Sequence, residues 1–300
     1  MTLRVAVSAI VLAITATAAG ESQVPASRLS AARAQIEQLI QQSGAADVAV
    51  VWQPLDAKPG EAIRIHDTAR FHAASTMKVP VMIELFRQVD AGKLKLDDTL
   101  VVSNQFHSIL DGSPYTLSAT EDSDGEVYKS IGKPMSYRDL CEAMITVSSN
   151  LAANVLIEKL SAKAIQATVD RLGASGMQVL RGVEDQKAFD AGKNNTTDAA
   201  GLARLLEAIA HGDAASRQSS ATMVEILKRQ KFNNGIPAGL PPDTPVAHKT
   251  GTITAVHHDA GIVYAMRPYI LVVLTRGLAD EKTSDALIAK ISGAVAALRP

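Results

Sequence analysis

"FHAASTMKVPVMIELF" (residues 71–86) is an apolar stretch with one serine and one lysine three positions apart, Ser75 and Lys78, set where a greasy helix begins. Val79, Met82, Ile83 and Phe86 recur at helical spacing, and Val81 and Leu85 continue the apolar surface, so the spacing predicts a helix buried on most sides. A lysine in such a helix is paired, or desolvation lowers its pKa and leaves a usable base. At i and i+3 the two side chains share a face, within reach of one another. Free N–H groups at a helix start also favour an oxyanion forming there. Pro80 removes a backbone donor and disfavours helical geometry at Val79, a local rule broken beside a candidate nucleophile. The competing account is a helix-capping serine with a snorkelling lysine. A second Ser-x-x-Lys match, Ser130 and Lys133 in "KSIGKPM", reads as a loop, because Gly132 and Pro134 make a helix improbable there.

Around that stretch the chain is of ordinary globular composition. Three hundred residues, 47% hydrophobic and 20% charged, allow one large domain or two coupled ones. A formal net charge of -1 gives no basic stripe, which argues against nucleic acid and anionic membrane surfaces as partners. "ADVAVVWQPL" and "EAIRIHDTA" read as two strands near the N-terminus; "VAHKTGT", "AGIVYAM" and "YILVVLT" read as three more near the C-terminus, followed by an amphipathic helix from Asp280. Helical periodicity fills the interval from Ser75 to about residue 230. The pattern implies an α/β (α+β) fold: an antiparallel five-stranded sheet assembled from both termini and flanked by helices, with an all-helical domain inserted. The boundaries are 21–69 and 229–300 for the α/β domain and 70–228 for the helical domain, with the site expected in the cleft between them.

The extreme N-terminus is different in kind. "MTLRVAVSAIVLAITATAAGES" has a lone Arg4, an apolar run and small residues around Ala16 to Ala19, the layout of a secretory signal peptide spanning residues 1–20. The run is short for a bilayer span, so the expectation is a secreted or periplasmic protein without a stable membrane anchor. Cys141 is the single cysteine and has no internal partner for a disulfide.

Two further segments give Ser75 and Lys78 their context. "ITVSSNLAANVLI" places Ser148 and Asn150 in an S-x-N arrangement between helical patterns, and "TPVAHKTGT" places Lys249, Thr250, Gly251 and Thr252 on a strand. S-x-x-K, S-x-N and K-T-G in this order form the signature set of penicillin-binding proteins and class A β-lactamases. The chain therefore resembles the class A serine β-lactamase family, from about residue 30 to the C-terminus. "RQVDAGKLKLDDTL", "RDLCEAMITVSSNLAANVLI" and "NNTTDAAGLARLLEAIA" extend the likeness beyond the three motifs.

The resemblance implies roles. Ser75 would be the acylated nucleophile and Lys78 would take its proton; Ser148 would relay a proton to the leaving lactam nitrogen; Asn150 would hold the substrate's side-chain amide. Lys249 and Thr250, with Arg276 as a candidate helper, would bind the substrate carboxylate. Backbone N–H groups of Ser75 and Thr252 would form the oxyanion hole, and Gly251 would leave room for substrate along the strand.

Departures from the family pattern are as informative. Ser149 stands where the family usually has aspartate, which implies a changed hydrogen-bond network. Between Ser75 and Ser148 lies an acidic insertion, "FHSILDGSPYTLSATEDSDGEVYKSIGK", expected to border the cleft with Tyr115 or Tyr128 as an aromatic wall. Met82 occupies the position of the family cysteine that often pairs with the one at Cys141. The E-x-x-L-N stretch of the family's omega loop is replaced by "EDQKA", so Glu184 is the expected base for deacylation and Asp185 competes with it. His257 and His258 beside Asp259 lack zinc-hydrolase spacing, and "HHDAG" reads as a turn into the next strand; no metal and no cofactor is expected.

The resulting expectation is a monomeric serine β-lactamase acting on a small-molecule β-lactam, such as a penicillin or cephalosporin, through a Ser75 acyl-enzyme. The alternatives are a D-alanyl peptidase or esterase using the same residues, and a penicillin-binding sensor that acylates without turnover.

Overall fold

The computed structural model describes residues 23–298, so the signal-peptide reading of residues 1–20 lies outside the described residues. Strand β1 (Asp47–Pro54) and the short β2 (Ile63–Ile65) come from the N-terminal side. β3 (Val246–Ile253), β4 (Val256–Val263) and β5 (Tyr269–Arg276) come from the C-terminal side. They form one five-stranded sheet in the order β2-β1-β5-β4-β3. Its pairings are antiparallel, with Asp47 opposite Arg276, Val50 opposite Ile65 and Thr250 opposite Asp259. The chain ends are thereby joined at the centre of the sheet, as the sequence implied.

Alternation along β1 explains the layers. Val48, Val50 and Trp52 pack into one core with α1 (Ala26–Ser43) and α9 (Glu281–Ala296). Ala49 and Val51 enter the larger core on the opposite face. "YILVVLT" is apolar throughout because both faces of β5 are covered, Leu271 and Val273 in one core and Val272 and Leu274 in the other. The larger core is completed by α2 (Lys78–Asp90), α3 (Tyr137–Thr146), α4 (Asn150–Leu160), α5 (Ala162–Arg171), α7 (Ala199–His211) and α8 (Arg217–Leu227). The short α6 (Gln186–Asp190) lies in the loop before α7.

Helix α2 is the hub of the helical part: every residue from Lys78 to Phe86 is buried, and it packs against α3, α4, α5 and α8. Ser75 sits one step earlier, in a 3-10 turn (Ala74–Met77) that runs straight into α2. Pro80 then falls in the first turn of α2, where a missing N–H removes no intrahelical bond. Met82 and Cys141 are both buried, and the thiol is free, its pKa pushed up by burial.

One reading is corrected. "HHDAG" is not a turn: His257, His258 and Asp259 lie inside β4, opposite Thr252, Gly251 and Thr250. The reversal is confined to Thr254 and Ala255, between the paired Ile253 and Val256, with Ala255 in the left-handed region at φ +56°. So tight a turn needs no further residues, and the polar triplet is free to join the sheet.

Candidate active site

The site is assembled where the 3-10 turn meets β3 and the start of α4. A Cβ added to Gly251 would lie 3.1 Å from the backbone nitrogens of Ser75 and Thr76, so a side chain there would press the strand and the Ser75 turn apart. Backbone strain gathers around the same point. Ala74, Ser148 and Glu184, none of them glycine, have φ of +45°, +60° and +62°, each a conformation that costs of order 1–3 kcal/mol and persists where the surroundings enforce it. His72 is one such support, since its Nδ1 accepts from Ala74 N at 3.0 Å.

Two lysines converge on one hydroxyl. Lys78 Nζ donates to Ser148 Oγ at 3.2 Å and Lys249 Nζ donates to it at 2.9 Å. Lys78 also donates to the Ser148 carbonyl and, at 2.7 Å, to Asn150 Oδ1; Lys249 donates to Thr250 O at 2.9 Å. Both ammonium groups are fully buried. Burial pushes the pKa of Lys78 down to about 7, against the pull of the Asp122 and Glu184 charges. Burial also drives Lys249 well down, with the Lys78 charge adding to the effect and Asp259 opposing it. Two cations at one serine cannot both keep their protons cheaply, so the pair forms a proton-handling centre near neutral pH.

The opposite wall is a loop. Asn150 Nδ2 donates to Glu184 Oε1 at 2.7 Å, so a single amide bridges Lys78 and Glu184. Burial pushes the Glu184 carboxyl up, opposed by that Asn150 bond and reinforced by Asp122 and Glu121. The neighbouring Asp185 is turned away: it caps α6 at Ala188 N (3.1 Å) and accepts from Ile109 N (2.9 Å). Burial would raise its pKa, but bonds from Ser108, Ile109 and Ala188 outweigh burial and hold the carboxyl below its usual value. Glu184 thus faces the lysine network and Asp185 serves as a structural tie.

The loop is held from both sides. Asn154, 1% exposed, donates to Val183 O (3.0 Å) and accepts from Val183 N (2.7 Å), gripping the residue before Glu184. Asn195 accepts from Leu180 and Arg181 N and donates to Arg181 O, closing the loop base. These two asparagines escaped the sequence reading. A signal existed for Asn154: it lies four residues after Asn150, on the same helix face, within the apolar run "NLAANVL". Asp122 was also missed, although it bonds the backbone at the start of α4.

Ser75, Ser148, Asn150, Thr250 and Thr252 line one cleft of about 310 Å³. A second hollow shares Ser75, Asn150 and Thr252 and is lined by Glu184. The insertion contributes Glu121 and Ser123 to the first, as expected of a segment bordering the cleft. The aromatic residue there is Phe232. Tyr115 and Tyr128 instead bond the carbonyls of Val183 and Ser118. Arg276 is likewise engaged elsewhere, donating to Asp47 and Arg70 O and lying over the Phe71 ring. The second Ser-x-x-Lys pair is unassembled, Lys133 Nζ donating to Lys129 O.

Known proteins resemble this chain over most of its length. An extended-spectrum β-lactamase, PER-1 of Pseudomonas aeruginosa, is 26% identical over 86% of this chain and 84% of its own. A solved ancestral class A β-lactamase is 28% identical, with a TM-score of 0.76 over 88% of this chain and 98% of that one. The solved structure of PBP-A is similar as well, at 26% identity and a TM-score of 0.75 over 89% and 95% of the two chains. The model of the β-lactamase enzyme family matches residues 31–298, and this chain belongs to that family.

Proposed function

We propose that this protein is a serine β-lactamase that opens the β-lactam ring through an acyl-enzyme on Ser75. The observation that carries the reading is the chain of hydrogen bonds Lys249–Ser148–Lys78–Asn150–Glu184, whose Ser148, Asn150 and Glu184 line the same hollows as Ser75. In acylation, neutral Lys78 accepts the Ser75 Oγ proton as that oxygen attacks the lactam carbonyl carbon. Negative charge on the carbonyl oxygen meets the backbone N–H groups of Ser75 and Thr252. As the C–N bond breaks, Ser148 passes its hydroxyl proton to the departing nitrogen and is reprotonated by Lys78. Lys249, Thr250 and Thr252 hold the substrate carboxylate, and Gly251 leaves the edge of β3 open to the substrate backbone. Asn150 takes the substrate's side-chain amide.

Deacylation falls to Glu184. Its ionised carboxylate removes a proton from water, the hydroxide attacks the ester carbon, and Ser75 leaves with a returning proton. The bond from Asn150 and the grip of Asn154 on Val183 support this assignment, and the three backbone and hydroxyl donors on Asp185 argue against that residue. The protein acts as a monomer and is exported, the export being supported by the signal-like N-terminal sequence. No helix among the described residues is long and apolar enough to cross a membrane.

A penicillin-binding protein that acylates and stays acylated is the second reading, favoured by the similarity to PBP-A. Mixing the protein with a chromogenic cephalosporin and following intact mass separates the two. Colour with no lasting adduct is expected of the β-lactamase; a stable adduct without turnover supports the binding protein. Ser75→Ala is expected to abolish labelling by a fluorescent penicillin, and labelling that persists contradicts both.

A further inference from the structure

The S-x-N motif of this chain lacks a carboxylate of its own, yet a carboxylate stands at the start of α4. We infer that Asp122 is a positioning residue for the reaction: from a distant loop it fixes the first turn of α4 and, through it, the Asn150 side chain that joins Lys78 to Glu184. The inference rests on the β-lactamase reading and deepens it.

A helix start leaves four backbone N–H groups without intrahelical partners. In α4 each has one. Ser149 N donates to Ala143 O at 3.1 Å, and Ala152 N donates to Ser149 Oγ at 3.3 Å. The two between them, Asn150 N and Leu151 N, donate to the Asp122 carboxylate at 2.9 and 3.0 Å. A charged acceptor at a helix N-terminus is favoured by the macrodipole, and charge-assisted bonds are about twice as strong as neutral ones. The same residue whose backbone is pinned this way has both side-chain amide atoms committed, Oδ1 to Lys78 and Nδ2 to Glu184, each at 2.7 Å. Any rotation of the first turn therefore moves the bridge between the two proton-transfer groups.

The next residue of the loop tightens the same joint. Ser123 Oγ donates to Val147 O at 2.7 Å, just before Ser148, whose backbone is held at φ +60°. The loop thus grips the chain on both sides of the hydroxyl that the two lysines share. Ser149 Oγ stands 3.5 Å from Asp122 Oδ2, so a carboxylate at position 149 would stand beside that of Asp122 at the same helix end. The charge matters as well as the geometry. Lys78 is faced by Ser148, Asn150, Glu184, the Lys249 ammonium and the Asp122 carboxylate, and Asp122 is the strongest of the anions holding its proton on. Around Asp122 itself stand the Tyr128 hydroxyl and the nearby Glu121.

A simple helix cap would affect stability alone. A positioning role predicts an exchange of carboxylates. Acylation of Ser75 by a fluorescent penicillin is measured across pH for four proteins: wild type, Asp122→Asn, Ser149→Asp and the double variant. Asp122→Asn is expected to acylate about 10- to 100-fold more slowly, with the acid limb of its pH profile moved to lower pH. Ser149→Asp is expected to slow acylation in the wild type, where two carboxylates then crowd one helix end, and to speed it in Asp122→Asn. A Ser149→Asp effect of the same sign in both backgrounds overturns the inference, as does an Asp122→Asn protein with the wild-type rate and profile. Should Asp122→Asn fail to fold, the double variant is expected to fold and acylate, and a double variant that does neither overturns it too. Wild-type protein that is not acylated defeats the β-lactamase reading instead, which separates the two failures.

Discussion

The two walls of the cleft are built differently. One wall, carrying Ser75, Lys78, Ser148, Lys249 and Thr250, stands on a buried helix, a helix junction and the hairpin at one edge of the sheet. The other, carrying Glu184, is the loop from Arg181 to Asn195, held by side-chain bonds from Asn154 and Asn195 rather than by a regular element. In the proposed mechanism the first wall contains the groups that form the acyl-enzyme and the second the group that releases it. Damage to each should therefore fall on a different half of the turnover.

The largest effect is expected on the rigid wall. Lys78→Ala removes the proposed base, and acylation should slow by about 10²–10⁴-fold, while the fold loses some stability because the Ser148 carbonyl and Asn150 Oδ1 lose their buried donor. Stopped-flow acylation and a thermal melt check both parts. A melt that collapses with full acylation in the surviving fraction would place Lys78 in the architecture alone.

Lys249→Ala comes next. A lost charge-assisted bond to the substrate carboxylate costs about 1.5–3 kcal/mol, or roughly 10- to 150-fold in kcat/KM. A change below about threefold would remove the carboxylate role. On the loop wall, Asn154→Ala frees Val183 and should lower the deacylation rate by about tenfold while acylation stays within about twofold. Equal losses in both steps would mean that the two walls are not separable.

How far each wall was legible follows from how it is built. Ser75 and Lys78 announce themselves because an apolar helix start rarely keeps an ammonium without partners or a task, and here Lys78 is buried and bonded to Ser148 and Asn150. The sheet was readable from the short apolar runs "VAVVW" and "YILVVLT", whose continuous apolarity needs cover on both faces. The grip on Glu184 was not, because it depends on Asn154 meeting Val183 across 29 positions of chain, a contact that no local pattern encodes. Asp122 was hidden for the same reason, bonding Asn150 from 28 positions away. The likeness of "HHDAG" to the family's turn misplaced it, whereas here the sheet absorbs its polar residues: His258 bonds His72 O, and Asp259 bonds His248 and Ile236 N.

The pH dependence is the gentlest probe of the comparison. Burial lowers Lys78 to about 7, and only its neutral form is a base, so acylation should be near half its plateau at about pH 7 and fall as pH drops. Burial raises the Glu184 carboxyl above its ordinary value, and only its ionised form is a base, so deacylation should also fall with acid. Single-turnover acylation and adduct decay, each followed from pH 5 to 9, give the two limbs. Coincident limbs would merge the walls into one titrating unit.

The central claim is that release of the acyl-enzyme belongs to Glu184 and its formation does not. Intact mass of Glu184→Gln, taken from seconds to minutes after mixing with penicillin, tests it most directly. The account predicts rapid appearance and persistence of a Ser75 adduct in Glu184→Gln, with turnover retained in Asp185→Asn. Undiminished turnover in Glu184→Gln, with no adduct at any time, would contradict it.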